Sequence, residues 1–349
     1  MTSLSEISGL GVIAVACFDI VVTVLSPEQH GGPLSRRAVS GVYRTAVAAS
    51  TLVGSRKPIL CCGPLAVITL VAGWGGLLLF GCGLYCWPHL GDSILAASGE
   101  TPTHFAAAVY HAGTNLTTLG SGDLLPQTDH MRLHAIVAAA LGFGVLTLSL
   151  TYVNSVYRAL QERSELARLL DALSGFTGES TTLAKALEKL GPETVLTLCA
   201  KVASYAESHR RYFVLHYFFF NDPRFSMARV LYLTLDSSSF LECSEGENSL
   251  GTAAKTLRYL GMDLVSEAEA LNGKTSLATP DWGQNFSNRF LHEKANASAG
   301  RGSEAAVADA SIAAYTRCRR QWIKAVMLVA RTAMLPEHAV APRPDVVDS

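Results

Sequence analysis

The residues best suited to chemistry lie in one short segment, Thr117-Thr118-Leu119-Gly120-Ser121-Gly122-Asp123. Gly120 and Gly122 tolerate left-handed backbone that a Cβ would penalise, so successive carbonyls there can all point to one side. Other reactive groups are scattered. The eight cysteines at 17, 61, 62, 82, 86, 199, 243 and 318 show no paired CxxC spacing, and most sit in apolar runs as free thiols. A Cys82–Cys86 bridge near the outer face would close too short a loop to stabilise much. His209 and His216 are seven apart, a spacing that shares a helix face, but dense aromatics around them favour a packed strip over metal ligation. No nucleophile elbow, zinc spacing or phosphate loop is present, so the expectation is a protein that is not an enzyme and needs no cofactor.

The elements that must position this segment are apolar. Hydrophobic residues make up 49% of the 349 and charged residues 16%, below the roughly 25% of soluble chains. Net charge is −1, which gives no basic excess for nucleic acid. Pro64–Trp87 and Leu133–Tyr157 contain no Asp, Glu, Lys or Arg, and each is long enough to cross a bilayer as a helix. Ile7–Leu25 is a third span, interrupted by Asp19. It lacks the basic start of a signal peptide and is expected to be retained. An intramembrane carboxylate marks either a functional site or a structural pair, here with an Arg of the following segment. Arg36, Arg37, Arg44, Arg56 and Lys57 lie between the first two spans, and Arg158, Arg163 and Arg168 follow the third; Pro88–Thr103 has no Lys or Arg. The positive-inside rule then places 28–60 and everything beyond 158 in the cytoplasm, and 88–131 outside. Residues 35–53 are expected to lie along the inner membrane surface.

Between the second and third spans, His104–Asn115 follows a Thr101-Pro102-Thr103 helix start. Such a helix reaches only about 18 Å, too short to cross. A short helix running into Gly-rich sequence is expected to be re-entrant, because non-helical backbone at membrane depth needs protein or water around it. The string Thr117 to Pro126 resembles the selectivity filter of potassium channels, whose core is Thr-Val-Gly-Tyr-Gly-Asp, and the order of outer helix, pore helix, filter and inner helix is similar to two-transmembrane bacterial potassium channels. The resemblance covers about residues 62–157. It implies a homotetramer conducting K+, with ion sites at the carbonyls of Thr118, Leu119, Gly120 and Ser121 and the Thr118 hydroxyl at the inner end. It further implies that Asp123 braces the filter by bonding to Tyr110 on the pore helix.

The resemblance departs at Ser121, where the family carries an aromatic ring between the glycines. A serine leaves that volume empty. His111 stands at the neighbouring pore-helix position, so either a Ser121–His111 hydrogen bond replaces the ring or the filter is looser and weakly selective. Gly142, nineteen positions after Asp123 (142 − 123), resembles the gating-hinge glycine of the family. Close helix packing is the other reading of Gly142.

Beyond Arg158 the chain turns polar and helical. Residues 179–235 read as several amphipathic helices, 273–303 as a long Asn/Ser/Gly-rich connection, Ala305–Met334 as a final helix carrying Arg317, Arg319, Arg320 and Lys324, and the tail from Pro336 as disordered. No GxGxxG follows a strand, and neither an EF-hand loop nor the every-third-residue basic pattern of a voltage sensor occurs. The expectation is an all-α, multi-pass cell-membrane protein in three parts: 1–60, an N-terminal helix and interfacial segment; 61–158, the pore; and 159–349, a cytoplasmic helical regulatory or assembly domain. Its partners are further copies of itself and membrane lipid. A non-conducting, membrane-anchored signalling or scaffold protein with a pore-like fold is the other class that fits.

Overall fold

The computed structural model describes residues 4–26, 31–245, 247–272 and 304–341. They form helices, as the sequence leads one to expect, and a single two-stranded ribbon. Three helices are long and apolar enough to cross a membrane: α1 (Leu4–Val24), α4 (Cys62–Cys86) and α6 (Asp129–Leu173). The chain divides into two compact units. The first comprises 1–54, 61–157 and 212–217, and the second 55–60, 158–211 and 218–349.

In the first unit α1 packs on α4 through facing glycines. A Cβ on Gly9 would lie 2.7 Å from the Gly81 carbonyl oxygen, and one on Gly81 would lie 2.8 Å from Ile13. Bare backbone lets the two helices approach closely, which is how membrane helices gain contact without a hydrophobic driving force between them. Helix α2 (Pro33–Val53) starts under Asp19, described below. After α4 the chain makes a turn and a short strand β1 (Ile94–Ala96), then helix α5 (Phe105–Leu116) and strand β2 (Leu124–Pro126). The strands pair antiparallel, with Leu95 opposite Leu125.

Asp19 is fully buried, and its partner is not an arginine. Its carboxylate accepts from the backbone N–H of Leu34 (2.9 Å) and Ser35 (3.2 Å), the Ser35 hydroxyl (2.5 Å) and Trp74 Nε1 (3.0 Å). It therefore caps the N-terminus of α2 from another helix, where orphan N–H groups and the helix dipole both favour an anion. Trp74 of α4 closes the third side, so one side chain joins α1, α2 and α4.

The aromatic strip is packed, but not as one helix face. Helix α8 (Pro192–Arg211) ends at Arg211, so His209 and His216 do not share a helix, and no metal-binding group of three ligands occurs among the described residues. Residues 212–217 belong to the first unit: Tyr212 meets Tyr152 edge-on at 5.9 Å, Tyr217 meets Tyr43 at 5.5 Å, and Phe213 packs over Gly31.

The second unit contains α3 (Lys57–Leu60), the end of α6, α7 (Ser180–Leu190), α8, α9 (Met227–Glu245), α10 (Ser249–Asn272), α11 (Glu304–Thr332) and α12 (Glu337–Val340). Helix α9 is its axis and is buried all round from Met227 to Ser239. Leu231 and Leu235 pack with Leu183, Leu198, Leu257, Trp322 and Val326. Its Asp236, Ser237 and Ser239 are answered internally. Asp236 accepts from Ser180 (2.5 Å), Tyr315 (2.7 Å) and Arg319 (3.1 Å), while Ser237 and Ser239 bond back to carbonyls one turn earlier. Arg319 is thus a core residue. The chain past Pro336 is also ordered through 341, since Val340 and Ala341 are buried in the core cluster. The expected connection at 273–303 lies outside the described residues.

Candidate ion-conduction site

Helix α5 positions the segment 117–123. His104 is its N-cap, its Nδ1 accepting from the Ala107 N–H at 3.2 Å. At the other end the helix's free carbonyls receive the first residues of the segment. The N–H groups of Thr117, Thr118 and Leu119 donate to Gly113, Asn115 and Thr114 at 2.9–3.0 Å. The Thr117 hydroxyl also returns to the Gly113 carbonyl at 2.7 Å. The negative end of the α5 dipole is therefore held at the start of the segment, which favours a cation there.

From Thr118 the backbone alternates. Thr118, Gly120 and Gly122 have φ of 56°, 61° and 76°, while Leu119 and Ser121 are not in the positive region. Reversing the backbone hand at every second residue turns successive peptide carbonyls toward the same side, whereas a uniform strand alternates them. The glycines adopt this at little cost, and a Cβ at either would meet nothing within 4 Å. Thr118 is the surprise. A β-branched residue in the left-handed region costs roughly 1–2 kcal/mol, and such strain persists where the surroundings impose it, typically at functional sites. Its hydroxyl donates to the Thr117 carbonyl at 2.7 Å and keeps acceptor capacity.

The outer end of the segment is fastened twice. Tyr110 of α5 donates its hydroxyl to Asp123 Oδ2 at 2.7 Å. The Asp123 carbonyl accepts from Ala97 N–H at 2.9 Å, which continues the β1–β2 ribbon to the segment itself. The ribbon was not anticipated, because three residues are too few to show a two-residue period.

His111 and Ser121 are not joined. The His111 ring is buried, with Nε2 3.2 Å from Asn115 Nδ2 and Nδ1 without a hydrogen-bond partner. The Ser121 side chain is exposed. Behind the segment, α6 crosses α5 at Gly142, where a Cβ would sit 1.9 Å from the Leu116 carbonyl oxygen. Residues 117–123 themselves are exposed, with Leu119 70% accessible.

Residues 66–159 match the family described as Ion channel. This segment is similar to the ion-channel family. It contains α5, the alternating segment and the first part of α6, and with three helices able to span a bilayer it belongs to a multi-pass membrane protein. An uncharacterized membrane protein of Bacillus subtilis (strain 168), YdjJ, is 28% identical over 173 residues, covering 46% of this chain and 47% of that protein. The chain spans about half the length of this curated relative. No solved structure matches.

Proposed function

We propose that this chain is one subunit of a homotetrameric cation channel selective for potassium, with Thr118, Leu119, Gly120 and Ser121 supplying rings of carbonyls that replace the ion's hydration shell. The observation that carries this reading is the alternation of positive φ at Thr118, Gly120 and Gly122 in a segment that stays exposed. One strand of carbonyls cannot surround an ion, so the exposed strand needs other copies facing it. Gly142 sets α6 against the Leu116 carbonyl of α5, and a glycine there also lowers the cost of bending that helix. The basic residues after α6 and between α1 and α4 support a cytoplasmic second unit.

Weak selectivity is the second reading, favoured by one observation: Ser121 stands where the potassium-channel filter carries an aromatic ring, and it is exposed. Cation flux into proteoliposomes tests the assignment. Gly120→Ala and Gly122→Ala are expected to abolish flux without unfolding the protein, because the added Cβ meets only backbone strain. Unchanged flux in both would remove the segment from the ion path and leave the scaffold reading.

A further inference from the structure

Three imidazoles gather around one phenol ring where α4 ends and α6 begins. Tyr85 sits at the C-terminal end of α4, His89 in the turn that follows, and His130 and His134 one turn apart on α6. The Tyr85 hydroxyl and His130 Nε2 are 2.7 Å apart. The Tyr85 ring stacks on His134 with centroids 4.5 Å apart, and lies 5.9 Å from His89 and 6.0 Å from His130. His89 and His130 meet edge-on at 5.9 Å. From α1, Glu6 Oε1 comes within 3.3 Å of His89 Nε2, a contact of charge, since the two atoms are not in hydrogen-bond geometry.

The other titratable groups near this cluster bring little further charge. The Cys86 thiol is 3.7 Å from His134 Nδ1. On the α5 side stand Ala107 and Ala108, and the buried His111 is within electrostatic range of His134. Asp129 and Arg132 of α6 pair with each other at 3.3 Å in solvent, and Asp92, beyond His89, is exposed. A first proton can therefore rest on His89 beside Glu6. A second, on His130, sets two cations with ring centres 5.9 Å apart, and Glu6 offsets only one of them. It also alters the contact with Tyr85, because Nε2, an acceptor in one neutral tautomer, becomes a donor only.

We propose that His89 and His130, with Glu6 and Tyr85, form a proton-binding site that loosens the outer anchorage of the segment 117–123 as pH falls. Imidazole is the side chain that ordinarily changes charge between about pH 5 and 8. His130 is exposed, so protons reach it from solvent. The route to the segment is packing. Tyr85 shares one apolar cluster with Ile94, Ala107, Ala108 and Met131, and Leu124 packs against it. Ile94 and Leu124 belong to the two strands of the ribbon, whose continuation holds the Asp123 carbonyl through Ala97. Met131 is the neighbour of His130 on α6. Parting α6 from the turn after α4 thus strains the ribbon that fastens the segment's outer end. The effect on ion flow rests on the channel reading, whereas the site itself does not.

The test uses the purified full chain, reconstituted for flux and held in detergent for melting, at about pH 7.5 and 5.5 on either side of the imidazole range. With the inner solution kept at the higher pH, the native chain is expected to conduct several-fold less at the lower outer pH. His130→Gln keeps a polar partner for Tyr85 without a proton-dependent charge, and its flux should change by less than about twofold. His89→Gln removes the other charge and should behave alike. Glu6→Gln takes away the anion beside the first proton, so the midpoint of the response should move to lower pH, a shift that a purely structural Glu6 would not give. Melting reads the site without conduction. Acidification should lower the unfolding temperature of the native chain by several degrees more than that of His130→Gln, because the folded cluster resists a second proton that the unfolded chain accepts freely. Equal pH responses of melting in the native chain and His130→Gln would overturn the proposal, as would a flux response that survives in both Gln variants or a midpoint unmoved by Glu6→Gln. No flux at either pH would contradict the channel reading instead, and the melting comparison then decides the proton site alone.

Discussion

The Tyr110 hydroxyl donates to Asp123 Oδ2 across 2.7 Å, and this bond ties helix α5 to the outer end of the segment it launches. The inner end is tied to the same helix by its own carbonyls. The seven residues between are therefore held at both ends by one rigid element, with the β1–β2 ribbon as a third attachment. Fixed ends are what allow a strained residue such as Thr118 to keep its conformation.

Tyr110→Phe keeps the ring and removes only the bond. Single-channel or flux measurements should show conduction reduced several-fold and selectivity for potassium over sodium lowered. Asp123→Asn, whose amide oxygen still accepts, should fall between Tyr110→Phe and the native protein. Equal conduction and selectivity in all three would mean the bond does not set the filter's shape.

Asp19→Ala removes the common acceptor of Leu34, Ser35 and Trp74. Buried donors left without a partner cost about 1–3 kcal/mol each, so the first unit should lose several degrees of thermal stability in detergent. Asp19→Asn retains N-cap capacity and should lose less. A melting temperature unchanged by Asp19→Ala would contradict the capping role.

Gly142 and Gly144 lie two positions apart on α6 and make a controlled pair. A Cβ at Gly142 meets the Leu116 carbonyl oxygen at 1.9 Å, whereas one at Gly144 meets nothing within 4 Å. Gly142→Ala is expected to push α6 from α5, costing roughly 1–3 kcal/mol, as overpacking does, and lowering conduction. Gly144→Ala should be neutral or slightly stabilising, since alanine favours a helix. Similar melting temperatures and currents for both variants would show that close packing at Gly142 is unimportant.

How much of this was legible depended on whether a residue's partner was local. The two charge-free spans and the short helix before the glycines are patterns within a few turns, and they appear as expected at α4, α6 and α5. The alternation at Gly120 and Gly122 is written in residue types, but Thr118 is not, because β-branching argues against the conformation it adopts. Asp19 was recognisable as a buried anion, yet its partners are backbone amides, which have no letter in a sequence. Asp236 was invisible for a related reason: Ser180, Tyr315 and Arg319 reach it from 56 to 83 residues away and convert an unpromising acidic residue into the centre of a core. Of the two alternatives at Ser121, the bond to His111 is not made: the ring is buried with Nε2 beside Asn115, four residues on along the same helix, while Ser121 is exposed.

The most direct measurement is the reversal potential of the reconstituted protein with potassium on one side of the bilayer and sodium on the other. The account predicts a current that reverses close to the potassium equilibrium potential. A reversal near zero would contradict potassium selectivity and point to Ser121 standing in place of the aromatic ring. No current above that of empty bilayers, or a reversal that follows the anion, would contradict the channel itself.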